Sequence, residues 1–243
     1  MKKYIYIFAC SLTVLTFSSC EEFLEKEPLT TLSSGSFWNT EKDLRMALNN
    51  QYQEMKRDYN LDNWSIDCFA DIGNNISSGT YTAPNTDARW TGPYKQIRIS
   101  NEFLENYEKA SVTEDLKNRY AGEARFFRAY CYFELLQAYG DLIITRTPLD
   151  IDSPEMQKAR NPRTEVADFI IDDLKEAAKL LPVDKAISSS DEGRLSCEAA
   201  LAFLSRVALY EGTWEKFHNG GQNTERTKDL LNTAAQAAHD VMA

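Results

Sequence analysis

The residue types best suited to ligand chemistry in this 243-residue chain cluster between Asn60 and Pro93. This segment shows no clear helical or strand period, and it combines aromatic rings with short amides, carboxylates and one arginine. Sugars present C–H faces that pack on aromatic rings and hydroxyl edges that pair with short polar side chains. We therefore predict a glycan-binding segment whose contacts come from Trp64, Asp71, Asn74, Asn75, Tyr81, Arg89 and Trp90.

A packing role for the same rings is the alternative. Most aromatic side chains in loops are anchors that fill space, so Trp64 and Trp90 could instead pin the segment to neighbouring helices. Structureless loops longer than about 15 residues are usually functional or disordered. The density of aromatic residues argues against disorder, and both remaining interpretations stay open.

Residues suited to catalysis are sparse. The only histidines are His218 and His239, which we predict to lie in a loop and on a helix surface. Neither has a histidine four residues away, and the chain has no HExxH, GxSxG, GxGxxG or P-loop motif. No carboxylate pair stands out for glycoside hydrolysis, and Asp172 and Asp173 are interpreted as a solvated helix face. We predict a protein that is not an enzyme and needs no metal or cofactor.

Charge and cysteine content exclude further classes. A formal net charge of −10 is unsuited to nucleic acid, whose recognition needs a basic surface. The few cysteines have neither zinc-site nor disulfide-framework spacing, so Cys131 and Cys197, which lie in helical patterns, are predicted to be unpaired.

The N-terminus has the pattern of a lipoprotein signal. Lys2 and Lys3 precede an apolar stretch and then the small residues Ser18 and Ser19, with Cys20 directly after them. We predict a signal peptide at 1–19, lipidation of Cys20 and a lipidated tether at 20–36, ahead of a helical domain at 37–243. An ordinary secreted protein with an incidental cysteine is the alternative.

Helical periodicity dominates the rest of the chain. The spacing of apolar residues predicts helices over about 41–59, 94–107, 120–139, 164–181 and 196–211, and a sixth from Thr224 onward. Thr40 and Ser196 are predicted N-caps, and Gly140 and Gly212 are predicted to end helices. The expected fold class is all-α, an antiparallel bundle of helix pairs with one long irregular loop.

The helix at 120–139 is apolar nearly all round, which indicates a central helix covered on several sides. Arg125 and Arg128 lie together on one flank, and a buried charge must be paired. We predict carboxylate partners for both on neighbouring helices. Gly122 allows a close approach, and Asn101 in the preceding helix is predicted to be buried and hydrogen-bonded.

Several segments resemble the SusD/RagB family. The central helix and its sequel, GEARFFRAYCYFELLQAYGD, resemble the family's signature helix. Similar resemblances cover FLEKEPLT, FWNTEKD, YKQIRISNEFLEN and RTEVADFIIDDLKEAAKLLP, and GRLSCEAALAFLSRVALYEGTW has the shape of a tetratricopeptide helix.

The resemblance implies a tetratricopeptide-like, lipid-anchored receptor on the exterior of the outer membrane, of which this chain is an N-terminal portion. Such receptors bind oligosaccharides or other nutrients for a TonB-dependent, SusC-like transporter. Family glycan contacts often precede the Tyr-x-x-Ile helix, where Trp90 lies. A tetratricopeptide-like scaffold that binds only protein is the alternative function, and an enzyme is the third.

Overall fold

The computed structural model describes residues 37–55, 87–218 and 224–242. Six α-helices make up most of these residues, and the β-structure within them is limited to one isolated bridge between Leu142 and Asn161. In chain order the helices are α1 Glu41–Met55, α2 Ala88–Asn106, α3 Glu114–Tyr139, α4 Arg163–Leu180, α5 Cys197–His218 and α6 Glu225–Met242.

Each helix packs mainly on its neighbours in sequence: α2 on α3, α3 on α4, α4 on α5 and α5 on α6, while α1 covers α2 and α3. Because helices that follow one another in the chain pack side by side, the result is a layered array of helix pairs. The predicted all-α, tetratricopeptide-like fold is confirmed.

Helix α3 is the centre of the core, as its composition predicts. Its buried residues lie on all sides of the helix and include Tyr120, Phe127, Tyr132 and Leu136, each 1% exposed or less. It begins at Glu114, a turn and a half before the predicted start, and Gly140 ends it with φ 73°. A left-handed residue at this position is the usual role of glycine after a helix.

The predicted partners of Arg125 and Arg128 are present, and both are the same residue, Asp173 of α4. Arg128 donates from Nε to Asp173 Oδ2 at 2.7 Å and from Nη2 to Oδ1 at 2.8 Å. Arg125 Nη1 lies 3.2 Å from Asp173 Oδ1. The interpretation of Asp173 as solvated was therefore wrong: it is 3% exposed, because it lies on the α4 face that also buries Ile170 and Ala177.

A second buried ion pair fixes α1 to the rest. Arg194, just before α5, donates to both carboxylate oxygens of Glu123 at 2.9 and 2.5 Å and to Asn49 Oδ1 of α1 at 3.0 Å. Its guanidinium lies 5.1 Å from the ring centre of Tyr52 and 5.2 Å from that of Tyr120. We name this group the Arg194 fork. The single guanidinium of Arg194 thereby connects α1, α3 and the segment before α5.

Two further helix boundaries differ from the predictions. Helix α2 begins at Ala88, not Tyr94, because Asp87 caps it and Pro93 is accommodated inside it. Helix α5 continues through Gly212 to His218. Gly212 does not end it; a Cβ there would lie 3.0 Å from Leu231 Cδ2, so the glycine allows α6 to approach. His218 is accordingly the last residue of α5, not part of a loop.

The smaller predictions agree with the structure. Thr40 and Asp43 form a reciprocal cap at the start of α1, with Thr40 N donating to Asp43 Oδ2 at 2.8 Å. Ser196 Oγ accepts from Ala199 N at 3.3 Å at the start of α5. Cys131 is buried within α3, and Cys197 is a free thiol, as predicted. Within the described ranges, no helix is both long and apolar enough to cross a membrane.

Candidate functional site

The predicted ligand contacts divide into two groups. Arg89 and Trp90 lie in the first turn of α2, which makes them helical residues and not part of an irregular loop. The others, and the predicted lipidation site, lie outside the described residues: Cys20, Trp64, Asp71, Asn74, Asn75 and Tyr81.

Trp90 is positioned by the cap of α2. Asp87 has an extended backbone, and its side chain accepts from Arg89 N at 2.9 Å, which starts the helix one turn before the indole. Tyr139, the last residue of α3, donates its hydroxyl to Asp87 Oδ2 at 2.7 Å and meets the indole edge-on at 5.0 Å. The cap and the indole are thereby fixed to the central helix.

The carboxyl of Asp87 is held in its charged form. Hydrogen bonds from the Arg89 side chain and the Tyr139 hydroxyl lower the pKa of Asp87 from 3.8 to about 2. Arg89 Nη2 lies 3.1 Å from Asp87 Oδ2, so this guanidinium serves the cap. A contact between Arg89 and a ligand stays a prediction.

A cavity of about 320 Å³ opens beside Trp90, and we call it the Trp90 cavity. One wall is formed by Trp90, Tyr94 and Arg98, which share a face of α2 at four-residue spacing. The opposite wall comes from the chain after α3 and from the turn before α4. The remaining lining residues are Asn101, Ile143, Thr145, Thr147, Leu149, Glu155 and Met156.

The floor of the Trp90 cavity is rigid because its polar groups are already paired. The Tyr94 hydroxyl donates to Ile143 O and accepts from Ile143 N, both at 3.0 Å. Burial raises the pKa of Tyr94, so this hydroxyl stays neutral. Asn101, 1% exposed as predicted, donates to Thr145 O at 3.1 Å and Thr147 O at 3.3 Å, and accepts from Arg128 at 2.8 Å.

Trp90 itself is half-buried, and its exposed part faces this rigid pocket. The Tyr94 ring lies 5.0 Å away, and the Arg160 guanidinium lies 4.8 Å from the indole centre. An aromatic surface flanked by hydroxyls, a carboxylate and guanidinium groups suits a ligand with apolar faces and many hydroxyl edges. The volume is at the lower end of the roughly 300–1,000 Å³ typical of ligand sites.

Sequence reasoning missed most of this cavity. Tyr94 and Arg98 could have been found, because they continue the Trp90 face of α2 at helical spacing. Thr147, Glu155 and Met156 lie in the connection between α3 and α4, and no local pattern links this connection to a helix about fifty residues earlier. Among the described residues, no three histidine, cysteine or acidic side chains are grouped as metal ligands would be.

Comparison with known proteins identifies the family. The family model described as starch-binding and associating with the outer membrane matches residues 21–209, most of the chain. The chain belongs to the SusD-like family. The resemblance seen in the central helix and the flanking segments is therefore confirmed.

Individual SusD-like relatives agree. A SusD-like protein of Bacteroides ovatus is 28% identical over 261 aligned positions, which cover 99% of this chain and 44% of the relative. The crystal structure of a SusD-like carbohydrate-binding protein from Bacteroides fragilis is 26% identical, with a TM-score of 0.66 over 85% of this chain and 41% of that one. A crystal structure with xylogluco-oligosaccharide is 30% identical, with a TM-score of 0.50 over 63% of this chain and 28% of that one. The chain thus spans less than half the length of these proteins.

Proposed function

We propose that this SusD-like chain is part of a lipid-anchored receptor that binds oligosaccharides at the outer membrane and delivers them to a TonB-dependent, SusC-like transporter. The observation that carries glycan binding is the half-exposed indole of Trp90, which faces a preorganised cavity. Membership of a family described as starch-binding, and similarity to a structure holding xylogluco-oligosaccharide, support the same ligand class.

The cavity would act by packing and hydrogen bonding. The C–H face of a sugar ring would lie against Trp90 and Tyr94, where aromatic contact gives large area with little loss of side-chain freedom. Thr147 and Glu155 would accept hydrogen bonds from sugar hydroxyls, and Arg98 would donate hydrogen bonds to them. Asn101 already holds the backbone carbonyls of Thr145 and Thr147 in place, so little conformational entropy is lost when a ligand binds. These are binding roles, and none of them requires catalysis.

The remaining predicted contacts would complete the site from the segment before α2. Trp64 and Tyr81 would add further sugar platforms, and Asp71, Asn74 and Asn75 would bond hydroxyls. Lipidation of Cys20 would place the receptor on the membrane, with the exterior orientation implied by the family resemblance. These assignments rest on residue types.

Binding at Trp90 is tested by calorimetry with malto-oligosaccharides and xylogluco-oligosaccharides, using the full chain. We expect Trp90→Ala to weaken binding about tenfold or more, since fully covering a large apolar side chain is worth about 1.5–3 kcal/mol. Trp214→Phe is the control. Trp214 of α5 packs against Arg163 of α4 and His218 of α5, and it does not line the Trp90 cavity.

Unchanged affinity of Trp90→Ala would remove the assignment of this cavity. Failure of every glycan to bind a folded protein would instead favour the protein-binding scaffold. Fluorescence provides an independent test of the same contact. We expect the ligand to quench the fluorescence of Trp90, and this change should be lost in Trp90→Phe.

A further inference from the structure

A second cavity of about 490 Å³ adjoins the Trp90 cavity, and we call it the Arg146 cavity. The two share the walls formed by Thr145, Thr147, Leu149 and Glu155. The first lies toward α2, and the second lies toward α4, where Phe169 and Asp172 line it. The segment 145–149 is therefore a common boundary that a single extended molecule could cross.

The Arg146 cavity is lined by the guanidinium of Arg146, which packs on an aromatic ring. The Arg146 guanidinium lies 4.6 Å from the ring centre of Phe169, which is 4% exposed and approached by Arg128 at 5.0 Å. Arg146 is exposed, and within the described parts of the chain its guanidinium has no hydrogen-bond or ion-pair partner. A fixed, planar group with free N–H donors is well suited to bridging adjacent oxygens of a ligand.

The charges around Arg146 decide between neutral and acidic ligands. Lys158 is the other cation of this cavity and lies 3.5 Å from Glu155 Oε1, while Glu165 and Asp172 also line it and Glu165 accepts from Asn161 at 2.9 Å. Asp168 is already paired with Arg226 at 2.8 Å. Donors and acceptors are thus mixed, which suits hydroxyls that both give and receive hydrogen bonds. A uronic acid or sulfated sugar would meet four carboxylates and only two cations, so its negative charge would be disfavoured.

We propose that the Arg146 cavity is a second subsite for a neutral oligosaccharide whose other end lies against Trp90. This inference rests on the proposed glycan-binding function and adds the ligand class, neutral and several sugars long. The ligand crosses segment 145–149, which Asn101 of α2 holds in place by donating to the carbonyls of Thr145 and Thr147. Arg146 makes the affinity increase with ligand length, because only a ligand longer than the Trp90 cavity reaches its guanidinium.

The test is a length series of neutral malto-oligosaccharides and xylogluco-oligosaccharides, measured by calorimetry on the full chain. We expect affinity to rise with length and then level off. Arg146→Ala should weaken the longest ligand about tenfold, the worth of a hydrogen bond to a charged group, and leave the shortest unchanged. Trp90→Ala should weaken both. Arg206→Ala, at an exposed arginine of α5 outside both cavities, should change neither.

The dependence of affinity on salt concentration, and the affinity for acidic sugars, provide a second test. Affinity for the neutral ligand should be nearly independent of ionic strength, since exposed charge pairs are screened by salt and hydroxyl contacts are not. Tighter, salt-dependent binding of oligouronates would overturn the neutral assignment. Length-independent affinity, or equal loss for short and long ligands in Arg146→Ala, would overturn the second subsite while leaving the proposed function intact. If no oligosaccharide binds at all, both fail together.

Discussion

At the scale of single residues, burial of charge is the feature that the sequence reveals best. An arginine within an apolar helix must be paired, so partners for Arg125 and Arg128 could be predicted without knowing the fold. Their identity could not, because Asp172 and Asp173 are adjacent, and only the exact rotation of α4 decides which one turns inward. Asp173 takes that position and serves both arginines.

Removal of Arg128 tests the cost of that arrangement. Arg128→Ala would leave Asp173 buried with only the half-buried Arg125 nearby, and Asn101 Oδ1 would lose its donor. We expect a loss of about 3–5 kcal/mol in the free energy of unfolding, measured by urea denaturation. The exposed Arg206→Ala should change stability by less than about 0.5 kcal/mol. Wild-type stability of Arg128→Ala would contradict a structural role for the pair.

Asp87 links proton binding to the start of α2. Because its pKa is lowered in the folded protein, the charged form stabilises the fold above pH 3.8. That contribution is lost as the pH falls from about 3.8 toward about 2. Carboxyl NMR should show Asp87 titrating near pH 2. Tyr139→Phe removes one donor and should move the midpoint upward, and a wild-type midpoint near 4 would show that the cap is not formed.

At the scale of helices, glycine has more than one role. Gly140 ends α3 and Gly122 allows a close approach inside α3, both as predicted, yet Gly212 lies inside α5, where it makes room for α6. The residue type is the same in all three cases. What differs is the packing of α4 and α6, which local sequence does not contain.

A pair of alanine substitutions separates these two uses of glycine. Gly92 in α2 has open space around it, so Gly92→Ala should raise stability by about 0.5–1 kcal/mol through helix propensity alone. At Gly122 a Cβ would lie 2.9 Å from Leu181 Cγ. Gly122→Ala should therefore be less stable than Gly92→Ala by about 1–3 kcal/mol.

Thermal unfolding of both variants provides the measurement. Because the gain in helix propensity is common to both, their difference reports the contact with Leu181 alone. Equal stabilisation of the two variants would mean that α3 and the end of α4 are further apart than described.

At the scale of the whole molecule, fold class followed from periodicity while the site did not. Apolar spacing predicted six helices in the right order, since a helix records its buried face locally. The cavities form where α2, residues 143–156 and α4 meet. These segments are far apart in sequence, so no repeating pattern of residues predicts that they meet. Trp90, which lines one of these cavities, was a candidate because of its residue type, and Arg146 was not.

The membrane anchor is tested in the intact cell. Cys20→Ala removes the thiol that would carry the acyl chains, and stable attachment needs more than one chain. We expect the variant to leave the membrane fraction and appear in the soluble fraction, as followed by immunoblotting. Cys68→Ala serves as the control and should remain with membranes. Retention of Cys20→Ala would show that some other feature holds the protein there.

The Arg194 fork has a consequence for the order in which the chain assembles. Asn49 and Tyr52 are bonded by residues 145 and 143 positions further on. Translation at about 5–20 residues per second delivers the arginine on the order of ten seconds after α1. Helix α1 is thus among the last of the described helices to gain all its polar contacts, and until then it is held by its packing on α2 and α3 alone.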